Sequence, residues 1–145
     1  MDPLDLSFLG TGWSFPPEFI ETDEIGQAPY GVKMLTGEAD INSSLAIIFA
    51  TALGERVMRP TFGADLFSFV QESINQQTMT LIKAMIGTAI TYHEPRVTVN
   101  AIDIITETNT TGMILISITY TIISINTRYN YVYPFYIQEG TNLIR

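Results

Sequence analysis

The hydrophobic period of this chain changes sharply at Tyr92-His93-Glu94-Pro95-Arg96-Val97. Upstream, Met79, Ile82, Ile86, Ala89 and Ile90 recur at three- and four-residue spacing, the one-face pattern of an amphipathic helix. Downstream the apolar residues alternate. Pro95 gives the reason: it has no N–H, its ring clashes with the preceding turn, and it pushes Glu94 into extended geometry. A helix is therefore expected to stop here and a strand to begin at Val97. Glu94 and Arg96, two apart on an extended backbone, project to the same side and can pair as carboxylate and guanidinium.

Taken alone, this is a helix stop flanked by two exposed charges. The distribution of cations argues for more. The chain has seven Lys and Arg, five of them Arg. Three of these arginines fall in two compact motifs, Gly54-Glu55-Arg56-Val57-Met58-Arg59-Pro60 and Glu94-Pro95-Arg96. Arginine's planar fork makes bidentate contacts with carboxylates, so the two motifs are expected to build ion-pair networks.

The rest of the chain is placed relative to the junction. Residues 1–30 carry Gly10, Gly12, Pro16, Pro17, Gly26 and Pro29, and read as an extended, turn-rich arm. Phe8, Leu9, Trp13, Phe15 and Phe19 are too many apolar residues for a free tail. Trp13 and Phe15 are expected to anchor the arm, either on a core or on a partner. Residues 31–145 form the folded domain, opening on a short strand over 31–35. Asp40 or Asn42 can cap a first helix through Ile41, Leu45, Ile48, Phe49 and Ala52, with Gly54 placed to end it. Residues 59–63 make a turn, and Leu66, Phe67, Phe69 and Val70 an apolar knot. Ser73 or Asn75 then caps the helix that runs to the junction.

Val97–Thr106 reads as a strand whose alternation shifts phase near Ala101 and Ile102, which suggests a bulge or burial on both faces. A hairpin turn at 108–112 leads to Ile114, Ile116, Ile118, Tyr120 and Ile122, the clearest period-two run in the chain. A second turn at Asn126-Thr127-Arg128 precedes Tyr129, Tyr131, Tyr133 and Phe135 in alternation. Pro134 makes that last strand an edge, or irregular, since it cannot donate a ladder hydrogen bond. The class is α+β: two main helices followed by a three-stranded antiparallel meander, with an extended N-terminal arm.

Composition excludes several functions. The net charge is −8, and eight acids face one lysine in the first forty residues, which disfavours nucleic acid or an anionic membrane as partner. There is no cysteine, hence no disulfide, thiolate nucleophile or Cys-based metal site. The N-terminus, with Asp2 and Asp5, is not expected to be a secretory leader, and the apolar run 45–53 is far short of the ~20 residues that cross a bilayer. A soluble protein made in the cytoplasm is expected. The single His93 has no second histidine for a metal and reads as a helix C-terminal residue. No phosphate-binding glycine loop is present, and no cofactor is implied. Charged residues are 15% of the chain, below the usual quarter or so, as in subunits buried in an assembly.

Four segments together carry a resemblance to a known family: Gly12-Trp13-Ser14-Phe15-Pro16-Pro17, residues 54–63, Glu94-Pro95-Arg96-Val97 and residues 130–136. In order and spacing they resemble the gene-25-like baseplate wedge proteins of contractile phage tails, type VI secretion systems and extracellular contractile injection particles. The resemblance spans nearly the whole chain. It implies a structural subunit at the baseplate inner ring, held to the wedge core bundle and offering the sheath its first template. Glu94, Pro95 and Arg96 match the family's signature triplet, and with Glu55, Arg56 and Arg59 are the expected wedge-binding residues. Other baseplate wedge proteins and sheath subunits are the implied partners, with inner-tube or hub proteins as a further class. Copy number would follow the particle's sixfold symmetry, and the protein could leave the cell within an extracellular particle.

Names in this family often include lysozyme, so catalysis is weighed directly. Glycoside hydrolysis needs two carboxyl groups across a cleft, one a competent proton donor. Of Glu55, Asp65, Glu72 and Glu94, two adjoin arginines, which hold a carboxyl ionised. The expected protein is not an enzyme, the alternatives being a peptidoglycan-cleaving lysozyme-like enzyme or a small adaptor of the same fold. Few charges guard the meander, so the sheet is expected to be either covered within the domain or kept open for a partner strand; the resemblance favours the second and implies strand addition by sheath arms, at Ile114, Ile116, Ile118, Tyr120, Tyr131 and Tyr133.

Overall fold

The computed structural model describes residues 7–21, 30–69, 75–106 and 112–136. Residues Met1–Ile47 and Ile48–Arg145 form two compact units. In the first, β1 (Thr11–Trp13) pairs antiparallel with β4 (Met34–Thr36), and β2 (Phe19–Glu21) with β3 (Tyr30–Val32). Lys33 lies between β3 and β4, donating its N–H to Glu18 O and accepting at its C=O from Ser14 N–H, both at 2.9 Å. The N–H and C=O of one extended residue point to the same side, so the four strands are two halves of one hairpin. Residues 14–18 loop out opposite Lys33. Position 30, where the arm was expected to end, is thus the first residue of a strand paired with it.

Gly37, at φ 60°, turns the chain out of β4 into α1 (Gly37–Ala50), a conformation only glycine adopts freely. The helix begins three residues before Asp40, so Asp40 and Glu38 lie in its first turn, where carboxylates favour the helix dipole. It also ends before Gly54, whose positive φ of 83° serves the following loop.

In the second unit Asn75 caps α2 (Gln76–His93), its Oδ1 accepting the Thr78 N–H at 2.9 Å. Ser73, the other expected cap, lies outside the described residues, as does most of the turn at 108–112. Ile82, Ile86, Ala89 and Ile90 are buried on one face of α2, as their spacing requires. α2 packs along β5 (Val97–Thr106), and at Gly87 a Cβ would sit 3.7 Å from Ile102 Cδ1. The sheet order is β5-β6-β7, with β6 (Met113–Ile122) central and β7 (Thr127–Tyr136) at the edge. The β5–β6 register shifts between Val99 and Ala101, the expected bulge. The second turn falls earlier than expected: Thr127 and Arg128 already belong to β7, and Asn126, at φ 50°, makes the reversal.

Alternation on β6 divides its two faces. Ile114, Ile116, Ile118, Tyr120 and Ile122 are at most 1% exposed, and burial of each such side chain is worth roughly 1.5–3 kcal/mol. Opposite them, Ser117 and Thr119 donate to Asn130 Oδ1 at 2.9 and 3.4 Å, and Thr121 donates to Asn100 Oδ1 at 2.7 Å.

Candidate assembly site at the α2–β5 junction

Glu94 closes α2, its N–H donating to Ile90 O at 2.8 Å, and Pro95 ends any continuation. Arg96 donates from Nε to Glu94 Oε1 at 2.6 Å and from Nη2 to Oε2 at 2.7 Å. The expected pair is therefore present and bidentate. It is also more buried than a surface charge pair: the Glu94 side chain is 3% exposed and Arg96 27%. The Arg96 carbonyl in turn accepts the Ile123 N–H at 3.1 Å, tying the junction to the turn that follows β6.

The second motif forms a closed loop. Gly54 N–H donates to Pro60 O at 2.7 Å, and the Ala52 N–H donates to Glu55 Oε2 at 2.9 Å. At Gly63, with φ 114°, a side chain would collide with the Thr51 carbonyl, so the loop's return path requires glycine. Val57 and Met58 stand 93% and 91% exposed at its tip. The ion-pair expectation is corrected here: Glu55 binds a backbone N–H, while the Arg56 and Arg59 guanidinium groups lie 4.0 and 5.9 Å from the centre of the Phe62 ring. Arginine that finds no buried carboxylate can stack on an aromatic face instead.

Phe62 joins the two motifs. Its ring centre is 4.8 Å from that of His93, the residue before Glu94. Sequence reading did not single out Phe62 and assigned His93 only to the helix end. The sole available signal was Phe62's place inside the 54–63 segment. Beside this contact lies an open groove of about 780 Å³ between the loop and α2, lined by Leu53, Pro60, Ala84, Met85, Ala89 and Tyr92 among others, with Arg59, Asp65 and His93 as its titratable members besides Tyr92.

The residues assigned to sheath pairing are distributed differently from expectation. Ile114, Ile116, Ile118 and Tyr120 lie on the central strand, whose two edges are already taken by β5 and β7, and their side chains are in the core. An added strand cannot pair there, so these four positions are withdrawn. Tyr131 and Tyr133 are on the edge strand, yet face inward, with ring centres 6.4 and 5.3 Å from Phe49. Burial raises the pKa of both phenols, and proximity to Tyr133 raises that of Tyr131 further. Their outward neighbours, Val132 and Tyr136, are exposed. Trp13 and Phe15 are 63% and 58% exposed.

For catalysis, Glu55 and Glu94 are engaged as described and Asp65 lines the groove, while Glu72 lies outside the described residues. Among the described residues no three His, Asp or Glu side chains come together, and no helix is long and apolar enough to cross a membrane.

A locked ion pair, a ring-bound arginine loop and an open groove thus lie on an α+β fold with a three-stranded sheet. The family model for baseplate wedge protein gp25 matches residues 35–127, and the chain belongs to that family. A crystal structure from Geobacter sulfurreducens, of a protein bearing the name tail lysozyme, is similar with 41% identity over 72% of this chain and 94% of that one, at a TM-score of 0.66. A chain of the anti-feeding prophage baseplate has the same fold, at 22% identity over 94% of this chain and 93% of its own, TM-score 0.62. A chain of a type VI secretion baseplate complex is similar in fold at 14% identity over 68% and 91%, TM-score 0.54. No curated protein matches the sequence.

Proposed function

We propose that the protein is a structural, non-enzymatic wedge subunit of a contractile injection particle, present in sixfold copies in the baseplate. The groove beside the Glu94–Arg96 junction receives the wedge core bundle, and the sheet edge starts the sheath. One observation carries the reading: the two motifs of the family resemblance, distant in sequence, converge through the Phe62–His93 contact beside an open apolar groove. The exposed Val57–Met58 tip extends from the loop that forms one wall of that groove. Against lysozyme activity stands Glu94, whose carboxylate accepts two guanidinium hydrogen bonds while almost wholly buried, a poor setting for a proton donor.

For the sheath, β7 is the better receiving edge. β5 is bulged at Asn100 and carries Asp103, both devices that discourage pairing. Pro134 has no N–H to give, so pairing along β7 is expected to break at that position. The protein is then made in the cytoplasm and leaves, if at all, inside the particle.

The test is co-expression with wedge and sheath subunits. Val57→Asp with Met58→Asp changes only solvent-exposed side chains, so the variant should fold normally yet fail to enter wedges. Normal incorporation would remove the loop and its groove from the interface. Amide exchange with sheath subunit should protect residues 127–136; protection confined to 97–106 would move the template to the other edge, and none in the sheet would end the strand-addition mechanism. Cell-wall turnover abolished by Glu55→Gln or Glu94→Gln would overturn the non-enzymatic reading.

A further inference from the structure

The hairpin of the first unit presents a second surface. Cross-strand partners in register share a face, and so do residues two apart along a strand. Trp13 is opposite Met34, Phe19 opposite Val32 and Glu21 opposite Tyr30, while Tyr30, Val32 and Met34 follow one another at two-residue spacing. Five apolar side chains and one carboxylate therefore lie on a single face. Of these, Trp13 is 63% exposed, Phe19 79%, Tyr30 68% and Met34 47%. Single exposed apolar residues need no explanation, but a contiguous aromatic face does.

Charge identifies what covers it. Aromatic faces carry negative quadrupole potential and attract Lys and Arg, and Glu21 adds a full negative charge on the same side. Lys33, between Val32 and Met34 in the alternation, belongs to the other face, and its ammonium is held by Glu18 at 2.9 Å. It is the only Lys or Arg among the first forty residues, against eight acids. A second copy would bring acid against acid, and an anionic lipid surface would be repelled. We propose that this hairpin face docks a polypeptide segment in which Lys or Arg side chains are interspersed with aliphatic ones, the cations stacking over Trp13, Phe19 and Tyr30 while Glu21 pairs at the margin. The surface shares no residue with the groove at the α2–β5 junction and stands whether or not that groove binds the wedge.

Trp13 is the only tryptophan, so the intact protein reports on this face by its own fluorescence. Three short synthetic peptides without tryptophan serve as probes: leucine with lysine, leucine with glutamate at the same positions, and serine with lysine. The leucine–lysine peptide is expected to shift Trp13 emission saturably to shorter wavelength, and the other two are not. Phe19→Ser with Tyr30→Ser should weaken that binding about tenfold, and Glu21→Lys should weaken it as well, with thermal unfolding of both variants unchanged. Equal response to the glutamate or serine peptide, or undiminished binding by the Phe19/Tyr30 variant, overturns the proposal. So does a blue shift on raising protein concentration alone, which would mean self-association, or one elicited by peptidoglycan oligosaccharide instead of peptide.

Discussion

The chain twice sets an acid within two residues of an arginine, and the two pairs end in opposite environments. Glu94 and Arg96 form a bidentate salt bridge in a nearly closed site, whereas Glu55 and Arg56 part company, one to the Ala52 N–H and the other to the Phe62 ring. The difference lies in what surrounds them. Glu94 is fixed by helix termination and buried, so its charge must be met by the nearest guanidinium. Glu55 and Arg56 are exposed in a loop, where water competes for an ion pair and the local backbone and ring offer better-fixed partners. The same two residue types are thus locked together at one site and divided between backbone and ring at the other.

Removing Arg96 tests the buried half most severely. Arg96→Ala removes both guanidinium hydrogen bonds from the buried Glu94 carboxylate and should cost about 3–5 kcal/mol in chemical denaturation. A loss below roughly 1 kcal/mol would make the pair equivalent to a surface bridge and erase the contrast. Phe62→Ala comes next. Its ring is half-buried between the arginines and His93, so about 2 kcal/mol is expected, less than for a core phenylalanine. Arg56→Ala should cost only about 0.5–1 kcal/mol, the value of an exposed cation–π contact. If it matched Arg96→Ala, the loop would be a structural element and not a docking one.

The smallest effect at neutral pH involves neither motif. Because the Tyr131 and Tyr133 pKa values are raised, the folded protein keeps phenolic protons that the unfolded chain begins to lose near pH ~10. The unfolded state then binds fewer protons, and stability falls as pH rises through that range. Below it their contribution is fully present and flat. Tyr131→Phe with Tyr133→Phe should reduce the alkaline loss while leaving the Arg96 and Arg56 results unchanged.

Much of the second unit was legible because local rules agreed. Pro95 ended α2 where the period changed, Asn75 capped it, and the phase shift in β5 marked the bulge. The errors came where backbone conformation outranked side-chain preference. Gly37 begins α1 by a positive φ, although Asp40 and Asn42 offered capping oxygens, and Asn126 reverses the chain where Asn126-Thr127-Arg128 read as the turn. Glu94 and Arg96 could be paired from their spacing. The Phe62–His93 contact could not, since it links a loop to the far end of a helix and leaves no periodic trace. The central position of β6 follows from the order of a meander, and it removes that strand's side chains from strand addition.

The strand order has a consequence in time. From α2 to β7 each long element packs on its neighbour in sequence, helix on β5, β5 on β6 and β6 on β7, so few loops of great length must close before contacts form. Such connectivity gives rapid folding for its size. The Arg96–Ile123 hydrogen bond then closes the β5–β6 hairpin at its base. We expect stopped-flow refolding to show this sheet forming in one fast phase, with slowing by Ile116→Val and little change by Val57→Ala. A slow phase for the sheet would mean that its order of assembly is not its order in the chain.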